Sequence, residues 1–255
     1  MEKRRTRRKL KNRILMLACA LFRLTGTRKR LFGFAEQAVT AVVLLFALRG
    51  FIAVEAIPYA VFLFSGLAPW YYFREVMFAL FDQPARIRGL FGADGYAPSW
   101  FPAGSALAAL PTLLLWTGIC ILLALILRIP LTRLWLIAYF LFCNVFNAAA
   151  QGMFAAAFLP LFPGNADEGL AITMPYFFWT APIVWPVAQT LSGLLLFMMR
   201  LNPIYYLADC LRGILMHGTL PTFEHTASFF LSVAFVGILG QVCLRRVWKS
   251  CAASW

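Results

Sequence analysis

Four residues that could do acid–base or metal chemistry lie near one another towards the C-terminal end of the chain. His217 and His225 are its two histidines, Glu224 stands beside one of them, and Asp209 lies a short distance upstream. Carboxylates and imidazoles can act as general acids and bases or bind a metal ion. No HExxH motif accompanies them, so solvated loop histidines are expected and no metal site is predicted. Asp209 and Arg212, three residues apart, are expected to form an ion pair.

Nucleotide hydrolysis and cofactor chemistry have no recognisable motif in the sequence. The phosphate-binding pattern G-x-x-x-x-G-K-[ST] does not occur, and the six cysteines show no metal-ligand spacing. We therefore expect no enzyme activity and no cofactor bound by this chain. One enzymatic alternative stays open, namely a membrane-embedded enzyme acting on lipid-linked substrates through the outer residues Asp209, His217, Glu224 and His225.

The composition places these residues in a membrane protein. Apolar residues make up 62% of the chain and charged residues 13%, whereas soluble domains have about 45–50% and about 25%. Several apolar stretches exceed the roughly 20 residues needed to cross a bilayer. The net charge of +13 comes largely from the first thirty residues, which hold twelve of the 23 Lys and Arg. Beside a membrane helix, such a segment is expected to bind anionic lipids and no nucleic acid.

The hydrophobic pattern predicts an all-α integral membrane protein with six transmembrane helices. Residues 1–33 are predicted to be a basic cytosolic segment with an amphipathic helix on the inner leaflet. Residues 34–255 are predicted to form one transmembrane domain, with spans at about 34–54, 57–81, 104–127, 134–159, 169–187 and 227–244. On this path 17 Lys and Arg lie in inner segments and five in outer ones, so both termini are predicted to be cytosolic.

Two segments outside the spans have a distinct composition. Residues 82–103 carry several charges, Gly and Pro and are placed in the cytosol. Residues 188–217 are split by Asn202-Pro203 into two pieces, each too short to cross the bilayer. They are predicted to form a re-entrant helical hairpin in the outer leaflet before the last span. The fourth span carries three amides on a face that is expected to meet another helix, namely Asn144, Asn147 and Gln151.

Aromatic side chains cluster in the second and fifth predicted spans. They either anchor the helices at headgroup level or line a path along which the C–H faces of sugars slide. Trp70 lies about thirteen residues into its span, too deep for an interfacial belt, which favours the path. The candidate path residues are Trp70, Tyr71, Phe73, Tyr176, Trp179 and Trp185. Near the inner ends of the first two spans, Glu36, Arg74 and Glu75 either face a protein interior or extend to the headgroups.

Several segments resemble one known family. Residues 61–73 (VFLFSGLAPWYYF) resemble the hydrophobic–Gly–Leu–x–Pro–Trp–x–x–Phe signature of polysaccharide-exporting ABC transporter permeases, which handle capsule, O-antigen and teichoic acid chains. Residues 176–186 (YFFWTAPIVWP) resemble the short fifth span of that family, and residues 22–34 its basic stretch before the first span. Residues 202–218 resemble its outer Asn-Pro…(Asp/Glu)-x-x-Arg…Gly segment, with the motif positions Asn202, Pro203, Asp209 and Arg212.

The order and spacing of these segments, with the six-span pattern, extend the resemblance over most of the chain. Two departures stand out: the first span lacks the usual Trp and Pro, and the 82–103 loop lacks the usual pattern. The resemblance implies a type-2 ABC exporter, in which a homodimeric permease of the bacterial inner (cytoplasmic) membrane is served by a separate nucleotide-binding ATPase subunit.

The resemblance also implies how the subunits divide the work. ATP and Mg would be bound by the partner ATPase, which would meet the N-terminal helix and the loop residues Arg86, Arg88 and Phe91. The cargo would be a lipid-linked glycan. Related permeases move lipids or drugs, so another cargo stays an alternative. A stand-alone secondary transporter is disfavoured because no internal repeat is visible.

Overall fold

The computed structural model describes residues 27–48, 59–81, 100–158, 166–186, 193 and 199–252. Eight helices among these residues have defined bounds, which are Thr27–Leu48 (α1), Tyr59–Phe81 (α2), Trp100–Ala108 (α3), Leu110–Ile126 (α4), Leu136–Phe158 (α5), Ala166–Trp179 (α6), Pro203–His217 (α7) and Phe223–Ala252 (α8), and residues 199–201 are also helical. Every regular element among them is a helix, which confirms the predicted all-α class.

Four segments of the described residues are long and apolar enough to cross a membrane, namely Leu31–Leu48, Trp100–Ile126, Leu136–Ala157 and Phe223–Arg246. They overlap the predicted first, third, fourth and sixth spans. α2 has 23 residues and would be about 34 Å long at 1.5 Å per residue. α6 has only 14 residues and is about 21 Å long, shorter than a hydrocarbon core of about 30 Å. Neither α2 nor α6 is among the four apolar segments, so crossing of the bilayer by these two helices stays a prediction.

α2 lies at the centre of the bundle. Apart from Phe64, every residue from Val61 to Phe73 is buried, so the burial extends around the whole helix. Helices α1, α3, α4, α5, α6 and α7 all pack against it. A helix enclosed by protein on all sides does not need the hydropathy of a lipid-facing helix. This position explains why α2 tolerates Ser65, Gly66 and Pro69 in its middle.

Three other helices expose large apolar side chains. The exposed residues include Val39, Val43 and Phe46 on α1, Leu122, Leu125 and Ile126 on α4, and Leu231, Phe235 and Ile238 on α8. A contiguous apolar surface of this kind marks a membrane or protein contact rather than a water-facing surface. These faces suit contact with lipid at the perimeter of the bundle.

α5 and α8 approach each other at the level of their backbones. A Cβ placed on Gly237 would lie 3.1 Å from Ala150 Cβ, and one on Gly240 would lie 2.7 Å from Phe154 Cα. Lipid gives helices no hydrophobic reason to associate, so close van der Waals packing through small residues supplies the attraction. This pair forms the most extensive helix contact in the described part of the chain.

Two predicted boundaries need correction. Residues 100–103, assigned to the cytosolic 82–103 segment, belong to α3, which begins at Trp100. Pro102 is compatible with this start because the N–H groups of a first helical turn lack helical partners in any case. The predicted fifth span, residues 169–187, is helical only as far as Trp179, and turns follow over residues 180–185.

Asn144 and Asn147 lie inside the bundle, each only 1% exposed. The Nδ2 atom of Asn144 donates to the backbone oxygen of Phe140 at 2.9 Å, within its own helix. The Oδ1 atoms of both asparagines have no hydrogen-bond partner among the described residues. Gln151 is partly exposed. The expected burial of the amide face against other helices thus holds for the two asparagines.

Candidate functional site at the end of helix α6

The permease-like segment 202–218 contains both ends of α7. The Oδ1 atom of Asn202 accepts a hydrogen bond from the backbone N–H of Ile204 at 2.9 Å, and Pro203 occupies the first helical position. Gly218 follows the helix with a φ of 62°, in the left-handed conformation. An Asn N-cap, a Pro at the first position and a left-handed Gly after the last turn are all favoured by helix termini. The motif therefore encodes a 15-residue helix with defined ends.

The same Asn202 amide also binds α6. Its Nδ2 atom donates to the backbone oxygen of Phe177 at 2.7 Å and to Oγ1 of Thr180 at 2.8 Å. Because the last carbonyl groups of a helix lack partners within it, Phe177 O is free to accept this bond. Asn202 is only 1% exposed, so losing these bonds would leave buried polar groups unpaired. Asn202 thus fixes the start of α7 to the end of α6.

Arg212 binds the turn that follows α6. Its Nη2 atom donates to the backbone oxygens of Pro182 at 2.6 Å and Phe62 at 3.0 Å, and its Nε atom donates to Oγ of Ser65 at 3.3 Å. The guanidinium carbon lies 3.6 Å from the centre of the Phe62 ring. Arg212 is only 8% exposed, and its charge is compensated by carbonyl dipoles and an aromatic face. It connects α7, α2 and the turn.

The predicted ion pair between Asp209 and Arg212 is wrong. The Oδ2 atom of Asp209 lies 3.7 Å from Nδ1 of His225, at the start of α8. The Asp209 side chain is 49% exposed, whereas the Arg212 guanidinium is drawn inward by the carbonyl oxygens. Neighbouring positions on a helix bring two charges within reach, but burial and competing acceptors decide whether they pair. Here the two side chains take different partners.

The histidines do not form a reactive cluster. The His225 ring packs against the rings of Tyr205 and Tyr206, with centroid distances of 4.9 and 5.2 Å. Its Nε2 atom is buried and has no partner within the described residues. His217 and Glu224 are exposed. Among the described residues, no three His, Cys, Asp or Glu side chains gather into a group that could hold a metal ion.

Three of the six predicted path residues are buried in the single chain. Trp70, Tyr71 and Phe73, all on α2, are at most 6% exposed. The Trp70 ring packs on Phe178 with centroids 5.3 Å apart, and the Phe73 ring packs on Phe177 at 5.1 Å. These rings form the contact between α2 and α6, so in this structure they hold α6 in place.

The other three path residues form an exposed aromatic surface, defined here as Tyr176, Trp179 and Trp185. Tyr176 is 42% and Trp179 is 53% exposed, and Trp185 is partly exposed. The indole rings of Trp179 and Trp185 are stacked, with centroids 5.3 Å apart and planes inclined by 12°. The stacked pair therefore forms one broad and partly exposed apolar surface at the end of α6 and in the turn that follows it.

Two residues that sequence reasoning missed, Tyr59 and Ser65, hold this region together with Gly66 of the permease-like signature. Tyr59 Oη donates to the backbone oxygen of Val184 at 3.1 Å, and Ser65 accepts from Arg212. A Cβ on Gly66 would lie 2.9 Å from the Cα atom of Ile183, so only glycine allows α2 to pass the turn so closely. The sequence feature that could have pointed to Ser65 was its place beside Gly66 in an otherwise apolar run.

Two of the three charges near the N-terminal end of α1 and in the C-terminal part of α2 pair with each other. The Nη2 atom of Arg74 lies 2.9 Å from Oε1 of Glu36. The two side chains are 31% and 60% exposed, respectively, so the pair can reach headgroups or water. Next to it, Gln37 accepts two hydrogen bonds, from Tyr71 Oη at 3.0 Å and from Trp116 Nε1 at 2.8 Å. These bonds tie α1, α2 and α4 together.

The predicted ATPase-contact residues Arg86, Arg88 and Phe91 lie outside the described residues, as do residues 1–26 and most of residues 187–198. Neither a protein-family model nor a curated protein matches this chain.

Proposed function

We propose that this chain is the transmembrane permease subunit of an ABC exporter, which moves a lipid-linked cell-surface polysaccharide across the bacterial inner membrane. The observation that carries the proposal is the exposed aromatic surface formed by Tyr176, Trp179 and Trp185 at the end of a short helix. It lies in a bundle whose other exposed helix faces carry many aliphatic side chains.

The chemistry of the aromatic surface suits a sugar chain. The faces of aromatic rings are negatively polarised, so they attract the weakly positive C–H groups of a sugar ring. Such contacts have no strict directional partner and are individually weak, which allows a polymer to slide from one ring to the next. In the proposal, Trp70 and Phe73 support the surface from behind, through their ring contacts with α6.

The energy source of the proposed exporter lies outside this chain. The sequence contains no G-x-x-x-x-G-K-[ST] phosphate loop, so a separate ATPase subunit binds ATP and Mg. The segment 82–99, with Arg86, Arg88 and Phe91, and the basic N-terminal segment contact that subunit. ATP can drive transport only if the ATPase binds two permease conformations with different affinity.

The proposed permease works as a homodimer with both termini in the cytosol. Each copy has six spans, namely the four apolar segments of the described residues together with α2 and with α6 and its following turn. α7 forms part of an outer-leaflet re-entrant hairpin. A 15-residue helix of about 22 Å does not cross a bilayer, and it is tolerated at depth where protein encloses it, as here against α2 and α5.

The Asp209–His225 contact favours a second candidate, an enzyme acting on lipid-linked substrates, because a carboxylate can orient a histidine for proton transfer. The buried Nε2 atom of His225 weakens this candidate, since no substrate can reach that nitrogen without movement of α7 or α8. His225→Ala separates the two functions, because His225 lies outside the permease-like segment 202–218. An enzyme loses its activity in that variant, whereas an exporter keeps its transport.

Purification from native membranes in a gentle detergent tests the proposed function. We expect a nucleotide-binding subunit to co-purify in equal copy number, and the complex to hydrolyse ATP while the isolated chain does not. Cells lacking the chain should retain lipid-linked glycan on the cytosolic side. Uphill movement of cargo by the isolated chain in proteoliposomes would contradict the proposal, as would tags that place the two termini on opposite faces of the membrane.

A further inference from the structure

We propose that Asn202 is a positioning residue of the aromatic surface, because its amide holds the last turn of α6 at the start of α7 and so sets Trp179 against Trp185. Only the consequence for transport rests on the proposed function. The placement of the two indoles itself rests on hydrogen bonds of Asn202 to the α6 side and of Arg212 to the turn side.

The bonds made by Asn202 lie on both sides of Trp179 in the sequence. Its amide nitrogen donates to Phe177 O at 2.7 Å and to Thr180 Oγ1 at 2.8 Å. Oγ1 of Thr180 in turn donates to the backbone oxygen of Tyr176 at 2.6 Å. A continuous chain of hydrogen bonds therefore runs from Asn202 through Thr180 to Tyr176. The backbone that carries two of the three aromatic-surface residues is thus bound from α7.

The second indole is also held from α7. Trp185 belongs to the turn after α6, where Arg212 donates to the backbone oxygens of Pro182 and Ile183 at 2.6 and 3.4 Å. The two backbone segments that carry the indoles are therefore hydrogen-bonded to the same part of the chain, through Asn202 at the start of α7 and Arg212 within it. A displacement of Asn202 relative to Arg212 therefore changes the distance between Trp179 and Trp185, because Asn202 is hydrogen-bonded to the α6 side of this pair and Arg212 to the turn side.

Asn202 has two roles that chemistry can separate. As an N-cap it accepts a hydrogen bond from the backbone N–H of Ile204 through Oδ1. As a link to α6 it donates a hydrogen bond to the backbone oxygen of Phe177 through Nδ2. Asn202→Asp keeps the acceptor, and Asp is as good an N-cap as Asn, but an ionised carboxylate cannot donate to Phe177 O. Asn202→Ala removes both roles. Cap function alone predicts that only the alanine variant is altered, whereas positioning predicts that both are.

Fluorine NMR of the detergent-purified chain labelled with 5-fluorotryptophan measures the indole positions directly. The resonances of the stacked pair are assigned with Trp179→Phe and Trp185→Phe, and Trp135, 72% exposed at the start of α5, serves as the internal reference. We expect Asn202→Asp at mildly alkaline pH to shift both resonances towards the values of the single Phe variants. The Trp135 resonance should stay in place.

Mildly acidic pH adds a second measurement on the same sample. A protonated carboxyl group regains one O–H donor, so the two resonances of Asn202→Asp should move back towards the wild-type values, while those of Asn202→Ala should not. If the resonances are unchanged in Asn202→Asp but shifted in Asn202→Ala, Asn202 acts only as an N-cap and the proposal is overturned.

Export measured in cells distinguishes this inference from the proposed function. Shifted resonances with reduced glycan export in Asn202→Asp support both. Shifted resonances with unchanged export support the positioning role and count against the aromatic surface as a glycan path. Unmoved resonances overturn the positioning role whatever happens to export.

Discussion

Gly66 of α2 and Ile183 of the turn after α6 lie so close that a Cβ on Gly66 would stand 2.9 Å from the Cα atom of Ile183 and 2.9 Å from Nη2 of Arg212. The Cα atom of Ile183 belongs to the backbone, so it cannot move away by a change of side-chain rotamer. Gly66 therefore determines how near α2 approaches the segment that carries Trp185.

Gly66→Ala should destabilise the protein by about 1–3 kcal/mol, the usual range for overpacking a filled interior. The matched control is Gly118→Ala, because Gly118 is also helical but has nothing within 4 Å of the added Cβ. That control should be neutral or stabilising by up to about 1 kcal/mol, since Ala favours helix over Gly. Unfolding of both variants in detergent measures the difference, and equal behaviour would contradict the close approach.

Arg212→Lys should cost about 2 kcal/mol, since a hydrogen bond to a charged group contributes about 1.5–3 kcal/mol and an ammonium cannot reproduce the planar fork over Phe62. Arg200→Lys is the control, because Arg200 is exposed and should change stability by less than about 0.5 kcal/mol. The measurement is again the unfolding free energy in detergent. A wild-type value for Arg212→Lys would show that charge alone matters at this position.

Gly240→Ala should push α8 away from α5, because the added Cβ would lie 2.7 Å from Phe154 Cα and 2.8 Å from the carbonyl carbon of Met153. We expect a loss of at least about 1 kcal/mol, from the overpacking of a close helix contact. Gly33→Ala on α1, with open space around the added atom, is the control. If Gly240→Ala melts at the wild-type temperature, the two helices are not packed at backbone distance.

Trp179→Ala should reduce glycan export while leaving stability nearly unchanged, because its ring is 53% exposed. Trp70→Ala, at 6% exposure, should instead lose about 3–5 kcal/mol of stability, as large buried aromatic residues do when truncated to Ala. Trp135→Ala removes an exposed indole elsewhere and should leave export intact. Surface glycan and detergent stability are measured for all three, and full export by Trp179→Ala would refute the path role of the aromatic surface.

The sequence was a good guide to what depends on local pattern. Long apolar runs predicted the positions of α1, α4, α5 and α8, because an apolar stretch of sufficient length is stable across a bilayer whatever its neighbours in the sequence. The segment 202–218 encoded the ends of α7, because a capping Asn, a first-turn Pro and a left-handed Gly act within a few residues. The sequence placed the start of α3 poorly, since Pro102 looks like a loop residue until tertiary contacts bury it.

Tertiary structure decided the partners. The three-residue spacing predicted an ion pair between Asp209 and Arg212. Arg212 instead binds the carbonyl oxygens of Phe62 and Pro182, which are far away in the sequence. A backbone carbonyl carries no side-chain signature, so no pattern of residue types could have revealed it as the acceptor. The apolar runs of the sequence by themselves determined the all-helical class and the four helices long and apolar enough to cross a membrane. Only packing decided that Trp70 is buried and Trp179 exposed, because exposure depends on which neighbouring helix covers a ring.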